Sequence, residues 1–143
     1  MPDDLPDTIY NKEAFEDGLP AGFDGYFHWE WTKGCFGATN IKPMDFDGVV
    51  ERSGHFLVFE TKKQGIPVPD AQMRALMAAV KTGYFTVMIM WGKKTPGKII
   101  VLHPGGKQEE YYGVEAARGI VKRWFAYANG LGIRAELKRL FAN

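Results

Sequence analysis

The chain of 143 residues has one cysteine, Cys35, and three histidines, His28, His55 and His103, that share no metal-ligand spacing. This excludes an intrachain disulfide and a zinc centre built on thiolates, so any bound metal has to be held by oxygen. No apolar run approaches the roughly 18 residues of a membrane span. The N-terminus carries Asp3, Asp4 and Asp7 and lacks the basic start and apolar stretch of a signal peptide. These absences lead to the expectation of a cytoplasmic protein with no membrane partner. Internal repeats, low-complexity tracts and an interdomain linker are also missing, and no aspartate follows Asp70.

What is present is an ordinary globular composition, 45% hydrophobic and 24% charged, which fits a single domain over residues 1–143. The net charge of +1 hides an uneven distribution. Residues 1–70 carry six Lys/Arg against thirteen Asp/Glu, and residues 71–143 carry twelve against four. A domain divided in this way can hold divalent cations on carboxylates of its first half and offer cations of its second half to a polyanion. Basic helices are also common as plain solvated faces, so the asymmetry alone assigns no partner.

Hydrophobic patterning supplies the elements. Asn11 is placed to cap a short helix over 12–17, closed by Gly18, and the aromatic run Tyr26–Trp31 reads as a strand. A loop over Gly34–Lys42 follows. Phe46–Glu51 and His55–Lys62 read as two strands joined by a turn at Arg52-Ser53-Gly54, the natural connection of a hairpin. Asp70 is placed to cap a helix running to about Thr82, in which Met73, Leu76, Met77 and Val80 share one face. Tyr84–Trp91, a continuous apolar run between glycines, reads as a strand buried on both sides, and Lys98–Leu102 as another. Ala117, Ile120, Val121, Trp124, Phe125 and Ala128 trace a helical stripe, followed by a last short helix over Ile133–Phe141. The expected fold is α/β: a mixed sheet with a central hairpin and helices on both faces.

Chemistry concentrates on the second hairpin strand. Alternation puts Phe56, Val58, Glu60 and Lys62 on one face, with Leu57 and Phe59 on the other. An acid and an amine at the end of an apolar strand bring charge toward a buried sheet, which is costly without compensation. A hairpin turning near Ser53-Gly54 makes Asp47 a neighbour of Glu60 across the ladder. Two carboxylates and a main-chain carbonyl, such as that of Thr61, form a hard oxygen site suited to Mg²⁺, with Lys62 beside it to steady a water and a phosphate. The plain alternative is an exposed Glu/Lys pair worth at most about 1 kcal/mol.

Asp47-Gly48, the hairpin, Glu60-Thr61-Lys62, a Pro/Gly turn, and Gln72 early in the next helix occur in this order. The arrangement resembles the PD-(D/E)XK nuclease superfamily, in particular its RecB-like and Holliday-junction-resolvase-like branches. The compact size is similar to that of phage-type nucleases. The resemblance implies a restriction-endonuclease-like fold and a Mg²⁺-dependent deoxyribonuclease, with Mn²⁺ as a substitute. It makes Asp47 and Glu60 metal ligands, Thr61 a ligand through its carbonyl, Lys62 the catalytic lysine and Gln72 an auxiliary contact. The family's Pro-Asp pair is interrupted here, because Met44 separates Pro43 from Asp45. Asp45 is therefore a second candidate for the motif aspartate, or the holder of an outer water. An upstream glutamate of the kind many members carry points to Glu13, Glu16 or Glu30, the last in an aromatic setting able to bury it. The implied partner is DNA, and a homodimer is compatible with cutting both strands of a duplex.

Two other readings use the same residues. Asp45-Phe46-Asp47-Gly48-Val49 also resembles the first motif of haloacid dehalogenase-like phosphatases. That motif needs an apolar strand leading into its first aspartate, and Asn40–Met44 is short, polar and proline-containing. The other reading is a non-catalytic nucleic-acid-binding module, gripping phosphates through Lys93, Lys94, Lys98, Lys107, Arg118, Lys122, Arg123 and Lys138.

Overall fold

A computed structural model describes residues 29–142. The helix expected after Asn11, with Glu13 and Glu16, lies outside them. The chain divides into two compact units at the Asp45/Phe46 boundary, and each is described by itself.

In the first unit, the expected strand ending at Trp31 is corrected. Glu30–Thr32 form a single 3₁₀ turn, closed by the Thr32 hydroxyl donating to the Trp29 carbonyl at 2.7 Å. Trp29 and Trp31 turn their rings toward one another, with centroids 6.2 Å apart, a local contact that needs no sheet partner. The Gly34–Lys42 stretch is turn and irregular backbone, as expected.

The second unit is a five-stranded mixed sheet with two helices. Its elements are β1 (Gly48–Arg52), β2 (His55–Lys62), α1 (Asp70–Lys81), β3 (Phe85–Trp91), β4 (Lys98–Leu102), β5 (Gln108–Tyr112) and α2 (Val114–Phe141). Spatial order follows chain order, so the hairpin's first strand forms one edge of the sheet and its second lies inside it. β2 and β3 are parallel, connected through α1, and the remaining neighbours are antiparallel.

Local chemistry accounts for most of these elements. The β1–β2 turn has positive φ at both Ser53 and Gly54, the two-residue geometry whose twist suits a hairpin. The Glu51 carboxylate accepts from the Gly54 N–H at 2.8 Å and tightens it. α1 begins one residue earlier in its capping pattern than expected. Pro69 occupies the N-cap, and Asp70 is the first helical residue, where its charge favours the positive end of the helix dipole.

Strand alternation sorts the core into two clusters. Val58, Val87, Ile89 and Leu102 pack with Leu76 and Val80 of α1. Leu57, Met88, Ile99 and Val101 pack with Ala117, Ile120, Trp124 and Ala128 of α2. Consecutive residues of β2, β3 and β4 thus point to opposite helices, which makes the unit an α/β sandwich. Each fully buried Leu, Ile, Val or Met contributes roughly 1.5–3 kcal/mol, so the central strands hold the unit together.

Two elements differ from the sequence reading. β5 was not expected, since Gln-Glu-Glu-Tyr-Tyr has no apolar alternation; it forms because an edge strand needs only one ladder, and its charges suit an edge. The two expected C-terminal helices are one helix of 28 residues, about 42 Å long. It continues through Gly130 and Gly132 despite their low propensity. A Cβ on Gly132 would stand 2.2 Å from the Ser53 hydroxyl oxygen, so glycine there lets the helix pass the hairpin turn. Arg52 helps hold this approach by donating to the Asn129 side-chain oxygen at 2.6 and 2.9 Å.

Candidate active site

The site is built where β1 begins and β2 ends. β1 starts at Gly48, later than the expected Phe46, so Asp45 and Asp47 both precede the strand. The ladder ends where Gly48 pairs with Phe59, and Asp47, the residue just before it, lies beside the end of β2 that carries Glu60 and Thr61. One oxygen of Asp47, Oδ2, accepts from the Thr61 backbone N–H at 2.7 Å and from the Thr61 hydroxyl at 2.9 Å. Thr61 thereby fixes the orientation of the aspartate through two donors. Its expected role as a ligand through its carbonyl concerns a different atom.

Glu60 is 3% exposed. It follows Val58 on the α1 face, so its carboxylate enters a layer otherwise made of aliphatic side chains. Gln72, in the first turn of α1, donates from Nε2 to Glu60 Oε2 at 2.7 Å, and the Lys62 ammonium lies 3.9 Å from the same oxygen. The Asp47 main chain also hydrogen-bonds the Glu60 carboxylate. The other oxygen, Oε1, is buried and has no hydrogen-bond partner. Burial raises the Glu60 carboxyl, and the nearby negative charge of Asp47 raises it further; Lys62, Gln72 and the Asp47 main chain oppose them. The net position is pushed up to about 7.

Five of the residues singled out in the sequence therefore meet at one place: Asp47, Glu60, Thr61, Lys62 and Gln72. Asp45 belongs to the first unit. Glu30 does not have the buried setting its aromatic neighbours suggest; it is exposed, on a single 3₁₀ turn. His55 stands at the far end of β2 from Glu60, with its ring against Tyr84 and Tyr127.

Trp91, by sequence simply the end of an apolar strand, is a positioning residue. It pairs with Lys62 across the parallel ladder, and its indole N–H donates to the Ile66 carbonyl at 2.6 Å. This ties the loop between β2 and α1 to the sheet next to the site. The available signal was an aromatic donor closing an apolar strand just before a glycine.

The donor chemistry fits a hard divalent cation. Mg²⁺ is commonly held by one or two carboxylates and keeps several waters. Two carboxylates lie close enough here for the charge of Asp47 to act on Glu60, and Glu60 has a buried oxygen that nothing satisfies. No group of three or more His, Cys, Asp and Glu side chains able to hold a metal occurs among the described residues. The strand required before Asp45 by the phosphatase reading is also missing, since residues 40–46 are irregular. No described helix is long and apolar enough to cross a membrane.

Comparison with protein-family models, with curated proteins and with solved structures returns no match.

Proposed function

We propose that the chain is a metal-dependent deoxyribonuclease of the PD-(D/E)XK type that hydrolyses DNA phosphodiester bonds. The observation carrying this reading is the buried Glu60, which has one oxygen unsatisfied, the charge of Asp47 beside it, and Lys62 3.9 Å from its other oxygen. A purely structural carboxylate in an aliphatic layer would be expected to have both oxygens hydrogen-bonded, because an unpaired buried acceptor costs about 1–3 kcal/mol.

In this reading Asp47 and Glu60, with the main-chain carbonyl of Thr61, hold Mg²⁺ or Mn²⁺. When bound, the cation supplies Lewis acidity toward the phosphate and the attacking water. Lys62 orients that water and offsets charge gathering on the phosphate oxygens as the new P–O bond forms and the bond to the leaving oxygen breaks. The water's proton leaves to solvent, and the departing alkoxide takes one up. Gln72 holds Glu60 by one oxygen, leaving Oε1 directed away from that bond. The excess of Lys and Arg after Asp70 supports a polyanionic partner. Cytoplasmic action belongs to the same proposal, as does a homodimer when both strands of a duplex are cut.

The test is incubation with supercoiled plasmid, linear duplex, single strands and a four-way junction, each with Mg²⁺, Mn²⁺ or EDTA. Metal-dependent cleavage that disappears in Glu60→Gln supports the nuclease. Binding that persists in EDTA with no cleavage of any substrate supports the non-catalytic module instead. A product that persists in Glu60→Gln places the chemistry elsewhere.

A further inference from the structure

The sheet face that α2 covers is left open at the end nearest Glu60. Phe59 and Met90 lie on that face beside the fully buried Leu57 and Met88, yet both stay partly exposed. With Pro96 and Val121 they help line an open groove of about 410 Å³, and Arg118 and Lys122 of α2 stand at its edge. We propose that this groove seats an unpaired base of a single-stranded nucleic acid, with Arg118 and Lys122 holding the phosphates on either side of it. The proposal rests on the nuclease reading for the identity of the polyanion, and it narrows the substrate to DNA that is single-stranded or frayed at the point of entry.

Both charged side chains that line the groove are cationic. No carboxylate is among the residues lining it, and both cations are exposed. Arg118 and Lys122 are four residues apart on a helix, so they lie one above the other along the same side. The short loop that brings Pro96 to the groove also carries Lys93 and Lys94, both exposed. A neutral apolar ligand would make no use of these charges.

The floor selects against a duplex. Both faces of a base inside a double helix are stacked on its neighbours, so a flat contact with Phe59 and Met90 is open only to an unpaired base. Aromatic stacking and soft thioether contacts tolerate any base, which fits an enzyme that reads no sequence at this point. The groove is also placed to serve the candidate catalytic carboxylate. Phe59 precedes Glu60 in β2 and projects to the opposite face, and β2 and β3 end side by side at Lys62 and Trp91. A strand seated on Phe59 has only to pass around this end of the sheet to reach Asp47 and Glu60.

The experiment measures binding of a fluorescein-labelled oligothymidylate to the full chain in EDTA by fluorescence anisotropy, beside its duplex with oligodeoxyadenylate. The single strand should bind at least about tenfold more tightly than the duplex. The double charge reversal Arg118→Glu with Lys122→Glu, at exposed positions that leave folding intact by circular dichroism, should weaken single-strand binding at least about tenfold and flatten its salt dependence. Phe59→Leu, which keeps an apolar side chain but removes the ring, should weaken it severalfold. Equal affinity for the two DNA forms, or unchanged binding by the charge-reversed protein, would overturn the proposal. A chain that binds through the groove and cuts nothing with any metal overturns the nuclease reading alone. A chain that cuts, while its groove variants bind and cut like the parent, overturns the groove alone.

Discussion

The two faces of β2 carry out opposite tasks within four residues. Toward α2, Leu57 is sealed among aliphatic and aromatic side chains and meets no charge. Toward α1, Val58 begins in a similar layer, but the next residue on that face is Glu60, as buried as its neighbours and short of one hydrogen-bond partner. Burial that stabilises Leu57 therefore disfavours the charge of Glu60. Both faces contribute to the core, and the face interrupted by a buried carboxylate is the one suited to recruiting a cation.

This contrast breaks most sharply in activity. Lys62→Met removes the ammonium beside Glu60 and should lower metal-dependent cleavage about a thousandfold or more, while Leu57→Val on the other face should leave the turnover of folded protein nearly unchanged. Plasmid nicking rates at equal concentrations of folded protein make the comparison. Similar losses in the two variants would mean that the α1 face has no special chemical role.

Stability should invert the ranking. Leu57→Ala removes a fully buried side chain and should cost about 2–5 kcal/mol in urea denaturation, with an unchanged dependence on metal. A cost under about 1 kcal/mol would show that this face is loosely packed.

The smallest expected effect lies in the pH dependence of the metal-free protein. The Glu60 carboxyl, raised first by burial and then by Asp47, sits at about 7 instead of the ordinary 4.5. The fold thus holds its proton more tightly than the unfolded chain does. The resulting stabilisation is fully present below about pH 4.5 and is lost as the pH rises through about 7, a loss of at most about 3 kcal/mol. In EDTA, Glu60→Gln should remove this decline, so that the variant matches the parent in acid and exceeds it at pH 8. Added Mn²⁺ should restore the parent at pH 8 and leave the variant unaffected. Parallel stability profiles for the two proteins across this range would show that Glu60 ionises without penalty.

Much of the site was legible because it depends on short-range rules. A two-residue turn at Ser53-Gly54 sets the hairpin register, and that register brings Asp47 to Glu60. Helical spacing from Asp70 then places Gln72 in the first turn, facing the sheet. β5 escaped because an edge strand is stabilised by one neighbour and shows little periodicity of its own. The join at Gly130 and Gly132 escaped because glycine reads locally as a stop, whereas here it admits the Ser53 side of the hairpin. Flanking tryptophans imply burial only where a layer exists for them to enter, and Glu30 is exposed.

The order of residues alone determined the alternation along β2, the turn before it and the helix after it, since each follows from backbone geometry over a few positions. Whether Glu60 would be wetted or sealed was decided only when α1 and β3 closed over it, because desolvation depends on every neighbour at once. The groove beside Phe59 has the same origin: it is the space left where α2 and the end of the sheet do not meet.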